Sequence, residues 1–145
     1  LQSDWSFAVV TTGGYSSTQV DAAVGDSLAL NVDGFTATGQ QAYSFGYPAA
    51  SPYNGKDLTY CAGALTTDSG TSNTTWGLSC TMTGGSSGGP WVSNYNSSTG
   101  KGDASGLNSY GYNGVSVMYG PKFNANTTTA YTKATTITLG TNARA

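Results

Sequence analysis

No histidine occurs among the 145 residues, and cysteine occurs only twice, at Cys61 and Cys80. A zinc site of the common His/Cys kinds cannot be assembled from this chain alone, and no metal or other cofactor is expected. Charge is scarce too: 5 Lys+Arg against 7 Asp+Glu make up 8% of the residues, where about 25% is usual. The net charge is −2, and the basic residues are scattered at Lys56, Lys101, Lys122, Lys133 and Arg144. Phosphate binding needs clustered Lys and Arg, so a nucleic-acid partner is excluded. The longest apolar run, Phe7-Ala8-Val9-Val10, is far short of the roughly 20 residues of a membrane span. With neither an initiator methionine nor a basic-then-apolar leader, the chain is expected to begin as a processed or truncated product.

What is abundant is small and polar. Serine and threonine fill 40 positions and glycine 21, with 10 Tyr, 3 Trp and 4 Phe. Low net charge and this aromatic content argue against disorder; together they suit a secreted, extracellular, all-β protein. The two cysteines are either free buried thiols or a disulfide, and the secreted character favours the bridge. A Cys61–Cys80 bridge closes a loop of about 20 residues, which contributes on the order of 3 kcal/mol in the chain-entropy model.

No 3.6-residue apolar stripe of useful length appears, whereas short alternating or β-branched runs bounded by Gly, Asn, Asp and Pro do. The expected strands are Trp5–Val10, Gln40–Tyr47, Leu58–Leu65, Trp76–Cys80, Pro90–Ser93, Ser105–Tyr110 and Val115–Tyr119. The first is ended by Thr11-Thr12-Gly13-Gly14, and a polar stretch over Asp21–Gly34 follows, with an apolar patch at Leu28–Leu30. Asn113-Gly114 is the pattern of a two-residue hairpin turn. The tail Asn124–Ile137 is a helix candidate whose threonines weaken it. Six antiparallel strands in about 80 residues indicate a small barrel or sandwich.

The segment Cys80-Thr81-Met82-Thr83-Gly84-Gly85-Ser86-Ser87-Gly88-Gly89-Pro90-Trp91 stands out. In a chain this rich in Gly and Ser it could be an ordinary loop. Glycines on both sides of a serine also permit a tight turn that holds a hydroxyl outward and aims successive backbone N–H groups at one point. Gly85-Ser86-Ser87-Gly88-Gly89-Pro90 resembles the Gly-Asp-Ser-Gly-Gly-Pro nucleophile motif of chymotrypsin-like, trypsin-domain serine peptidases. The resemblance implies that Ser87 is the nucleophile and that the amides of Gly85 and Ser87 form the oxyanion hole. Asp4-Trp5-Ser6-Phe7-Ala8-Val9-Val10 is similar to the family's segment in which the triad aspartate precedes a short apolar strand, which assigns Asp4 the orienting role. Ser109-Tyr110-Gly111 resembles the strand that pairs with substrate backbone, and Thr81 and Met82 fall at the base of the specificity pocket. Thr81 stands where trypsin carries an aspartate, and Asn108 where Glu-specific relatives carry a histidine; a neutral or apolar side chain is expected before the scissile bond.

The family's base is a histidine, and this sequence has none. By the resemblance, residues 1–31 are the end of a first β-barrel with the inter-barrel crossover. Residues 32–145 are then the antiparallel six-stranded second barrel of the double-barrel fold with a short C-terminal tail. The implied function is that of a serine endopeptidase acting on peptide or protein substrates when an N-terminal half of the same peptidase, as a separate chain, supplies the histidine; alone, the chain is expected to be inactive. The rival is a secreted, non-catalytic binding module for carbohydrate or peptide, or a peptidase remnant. Trp5, Trp76 and Trp91 with Tyr43, Tyr47, Tyr60, Tyr110 and Tyr112 would then form a stacking platform, although strand aromatics ordinarily fill cores and pocket walls.

Overall fold

The computed structural model describes residues 2–10 and 17–137. Among these residues, eight strands form two sheets, with one α-helix before and one after them. In chain order these are α1 (Val20–Val24), β1 (Ala29–Leu30), β2 (Gln41–Gly46), β3 (Thr59–Ala64), β4 (Thr66–Thr67), β5 (Thr75–Ser79), β6 (Pro90–Asn96), β7 (Lys101–Leu107), β8 (Val117–Pro121) and α2 (Ala125–Thr136). A five-stranded sheet runs β1-β7-β6-β2-β3 and a three-stranded sheet β4-β5-β8. The molecule is mostly β, as expected, and pairing is antiparallel except for β1, which lies parallel to β7 through Ala29↔Asp103 and Leu30↔Ala104.

Alternation explains the larger sheet. In β2, Ala42, Ser44 and Gly46 are buried while Tyr43 and Phe45 are only half-buried on the other face. The smaller sheet is covered more fully: Thr75, Trp76, Gly77 and Leu78 of β5 are all buried. The core between the sheets consists of Phe35, Ala42, Leu65, Trp76, Leu78, Cys80, Met82, Trp91 and Met118. A disulfide joins Cys61 of β3 to Cys80 just past β5, with the Cα atoms 5.4 Å apart. It therefore staples one sheet to the other across this core.

Several expectations shift. Residues 4–10 form no strand; a strand needs a neighbour for its backbone groups, and no described residue offers one. The expected turn at residues 11–14 lies outside the described residues. The polar stretch contains α1 and β1. The strand expected over Ser105–Tyr110 begins earlier, at Lys101, and ends at Leu107, leaving Tyr110 as a single bridge to Tyr119. Asn113-Gly114 does turn, with Val115 N donating to Tyr112 O at 3.1 Å and Gly114 at φ 76°. The flanking residues are unpaired, so it is the tip of a wider loop between Tyr110 and β8. The threonine-rich tail is helical because its start is capped. Asn124 accepts from Asn126 N at 2.8 Å, and Thr127 Oγ1 accepts from Asn124 N at 3.1 Å. Thr127 is also fully buried, and Tyr131 packs on Phe7 with ring centroids 5.4 Å apart.

Candidate active site

The loop between β5 and β6 carries the serine motif, and sterics dictate its glycines. Gly85 lies at φ 103°, and a Cβ there would meet Ala49 Cβ at 2.7 Å and Ala49 N at 2.8 Å. At Gly89 a Cβ would fall 2.0 Å from Phe45 O. Only glycine lets the loop approach the β2–β3 connection this closely. Ala49 N and Ala50 N donate to Gly84 O at 2.8 and 3.1 Å, and Thr83 Oγ1 donates to Ala50 O at 2.7 Å.

The two serines fare differently. Ser86 is buried and its hydroxyl donates to Thr83 O at 2.9 Å, whereas Ser87 is exposed. Among the described residues, no acceptor takes the amides of Gly85 or Ser87.

Beneath the loop lies Asn108, 1% exposed. Its Nδ2 donates to Phe45 O and Ser86 O, each at 3.0 Å. Its Oδ1 accepts from Ser44 Oγ at 2.6 Å and Trp91 Nε1 at 2.7 Å. The side chain thereby satisfies its full complement of four bonds. Its backbone completes the clamp, with Gly88 N donating to Asn108 O and Asn108 N to Gly89 O, both at 2.8 Å.

Three cavities meet at Ser87. One of about 500 Å³ is lined by Thr81, Met82, Ser87, Ser109, Tyr110 and Gly111, among others, and by no charged side chain. A second, about 530 Å³, lies between Asp4, Trp5, Ser87 and Asn108. A third of about 360 Å³ runs from Ser87 and Gly85 to Phe45, Tyr47 and Leu58. Asp4 is tied to the site by Ser109 Oγ, which donates to Asp4 Oδ2 at 2.5 Å. Ser109 N and Tyr110 N both donate to Tyr119 O, at 2.9 and 3.1 Å. That leaves the Ser109 carbonyl and the Gly111 amide without backbone partners among the described residues. Ser87, Asp4, Gly85, Thr81, Met82 and Ser109–Gly111 are thus brought to one surface.

Two solved structures resemble the chain over most of its length. The thermostable serine protease AL20 from an extremophilic microorganism is 38% identical with a TM-score of 0.71, over 86% of this chain and 56% of that one. Protease Anisep from Arthrobacter nicotinovorans is 40% identical with a TM-score of 0.70, over 84% of this chain and 54% of that one. The chain resembles part of a chymotrypsin-like serine protease. It spans a little over half the length of these relatives. No protein-family model matches it, and no curated protein does.

The chain also holds features that sequence reasoning missed. Asp68, 4% exposed, accepts from Tyr110 OH at 2.6 Å, Tyr112 OH at 2.8 Å and Gly70 N at 2.8 Å. The Tyr110 hydrogen bond, against the opposing effect of burial and with help from Tyr112 and Gly70, holds the Asp68 carboxyl below the usual carboxylate range. Burial first, then the bond to Asp68, pushes the Tyr110 phenol up to about 12. An Asp-Ser-Gly-Thr turn is a common surface signal, so sequence marks Asp68 as solvated. Among the described residues, no group of three or more His, Cys, Asp or Glu side chains is placed to hold a metal, and no helix is long and apolar enough to cross a membrane.

Proposed function

We propose that this chain is the serine-bearing part of a secreted endopeptidase, which hydrolyses peptide bonds through an acyl-enzyme once a histidine is supplied by a segment outside these residues. The observation that carries the reading is the exposed Ser87, with unpartnered amides beside it, across one cavity from Asp4. That cavity of about 530 Å³ has room for an imidazole. In it a ring would donate Nδ1–H to Asp4 and accept the Ser87 proton at Nε2. Ser87 Oγ then attacks the scissile carbonyl, the Gly85 and Ser87 amides stabilise the oxyanion, and the imidazolium returns the proton to the leaving amine. Water repeats the sequence to release the acid. The free Ser109 carbonyl and Gly111 amide pair with substrate backbone. The uncharged lining of the 500 Å³ cavity, Thr81 included, selects a neutral or apolar side chain there.

The same reading makes residues 1–31 the end of a first barrel with its crossover, and residues 32–145 a closed six-stranded second barrel with its tail. The companion is the N-terminal half of the same peptidase. Trp5 supports this: its indole N–H is buried without an acceptor among the described residues, and Val9 and Val10 beside it are exposed. Burying the bare N–H costs on the order of 1–3 kcal/mol unless a partner arrives. The disulfide fits an oxidising, extracellular setting. A binding module is the weaker reading, because Trp76 and Trp91 lie in the core, unavailable to stack on sugar.

Labelling with a fluorophosphonate tests the proposal. With a His-bearing companion present, the probe is expected to add its mass to this chain at Ser87, and Ser87→Ala to lower hydrolysis by about 10⁴–10⁶-fold. Complementation that restores neither labelling nor hydrolysis of any peptide pool would sink it.

A further inference from the structure

The wall of the 500 Å³ cavity carries two tyrosines whose hydroxyls are engaged elsewhere. Tyr110 and Tyr112 both line it, together with Ser109 and Gly111. Tyr110 OH donates to Asp68 at 2.6 Å and shares a 2.8 Å bond with Thr75 Oγ1; Tyr112 OH donates to the same Asp68 oxygen at 2.8 Å. Neither Asp68 nor Thr75 lines the cavity, so the hydroxyls are drawn to the side away from it. Tyr119 braces the pair, stacked on Tyr110 with centroids 5.1 Å apart and edge-on to Tyr112 at 5.5 Å. Tyr110 and Tyr112 meet each other edge-on at 5.8 Å.

This segment has little other support. Tyr110 pairs with β8 through a single bridge, residues 111–116 belong to no strand, and Tyr112 is 45% exposed. The Asp68 carboxylate is the point where both rings are anchored to the 3₁₀ turn Ser69–Thr71 that follows it. Gly70 fits the arrangement, since a Cβ there would lie 3.0 Å from Tyr112 OH.

We propose that Asp68 is a positioning residue for substrate: it fixes Ser109–Tyr112 and turns the two phenol hydroxyls away, so that the cleft offers ring faces to an apolar substrate side chain. The inference rests on the endopeptidase reading for the identity of the ligand, a peptide. Its geometry does not depend on whether hydrolysis follows. An unpaired phenol in the wall would offer a donor and reward polar side chains; a phenol bonded to a carboxylate on the far side offers none.

The test compares binding with turnover. An acetylated, amidated tetrapeptide of apolar residues is titrated into the chain and followed by NMR, and the same peptide is offered as a substrate after a His-bearing companion is added. Asp68→Asn keeps the shape and removes the charge. It is expected to weaken binding and raise KM about tenfold with kcat nearly unchanged, and to leave hydrolysis of a single-residue acyl ester, which does not reach Tyr112, as it was. Should that variant fail to fold, Tyr112→Phe, at a half-exposed position, carries the comparison with a loss of at least threefold in peptide affinity. Wild-type affinity in the folded variant overturns the inference, as does an equal loss on peptide and ester. If wild-type chain binds the peptide, Asp68→Asn does not, and no hydrolysis is restored by the companion, Asp68 keeps its role and the endopeptidase reading fails.

Discussion

Asn108 ties together three segments that are distant in sequence: Ser44 of β2, Ser86 in the motif loop and Trp91 of β6. Asn108→Ala leaves the Ser44 hydroxyl and the Trp91 indole N–H buried and unpaired. It is expected to cost roughly 2–4 kcal/mol, read as a lower urea midpoint. From sequence, Asn108 shows only that a Glu-recognising histidine is missing, because no local pattern connects it to its four partners. Ser87 is more legible, since Gly85 and Gly89 flank it for steric reasons that composition expresses directly. Asp68 and Tyr110 set a pH dependence. The Asp68 carboxyl titrates lower in the folded chain, so its contribution is fully present above about pH 4 and is lost as pH falls through the lowered value. The Tyr110 phenol titrates higher, at about 12. Its contribution is therefore present below about pH 10 and lost as pH rises from there toward 12. Ultraviolet titration should show two late phenols, Tyr110 and Tyr112, and Asp68→Asn should bring Tyr110 down only partly, because burial is its larger cause.

Among the elements, those with five or more alternating residues were readable from sequence, within a few residues at each end. The two-residue strands β1 and β4 are too short for alternation to register. The α2 helix forms against the propensity of its threonines, through a cap and through contacts with residues more than a hundred positions earlier. Asn124→Ala should cost about 1 kcal/mol, seen as lost helical ellipticity before the main thermal transition. The disulfide was expected from composition; its position between the two sheets depends on topology. Replacing Cys61 and Cys80 together by serine opens a sequence separation of 19 and should lower stability by about 3 kcal/mol. A calorimetric Tm unchanged by that double replacement would refute the estimate.

At the scale of the whole molecule, the described face around Trp5, Phe7, Val9 and Val10 offers apolar side chains with no sheet to join. If a companion segment covers it, tryptophan emission should shift to the blue on complementation, and Trp5→Phe should abolish the shift. Trp76 and Trp91 are already buried and contribute little change. The proposed closed barrel and the proposed division near residue 31 rest on resemblance, because no local pattern in the sequence specifies either. The parallel pair at Ala29 and Leu30 has a further consequence. β7 would otherwise end the larger sheet with its backbone donors and acceptors open, a template for another chain to add to. Two residues of β1 occupy part of that border. Cutting the chain after residue 31 should therefore cost little binding energy yet favour fibrous or amorphous polymer, detectable as light scattering that grows with concentration.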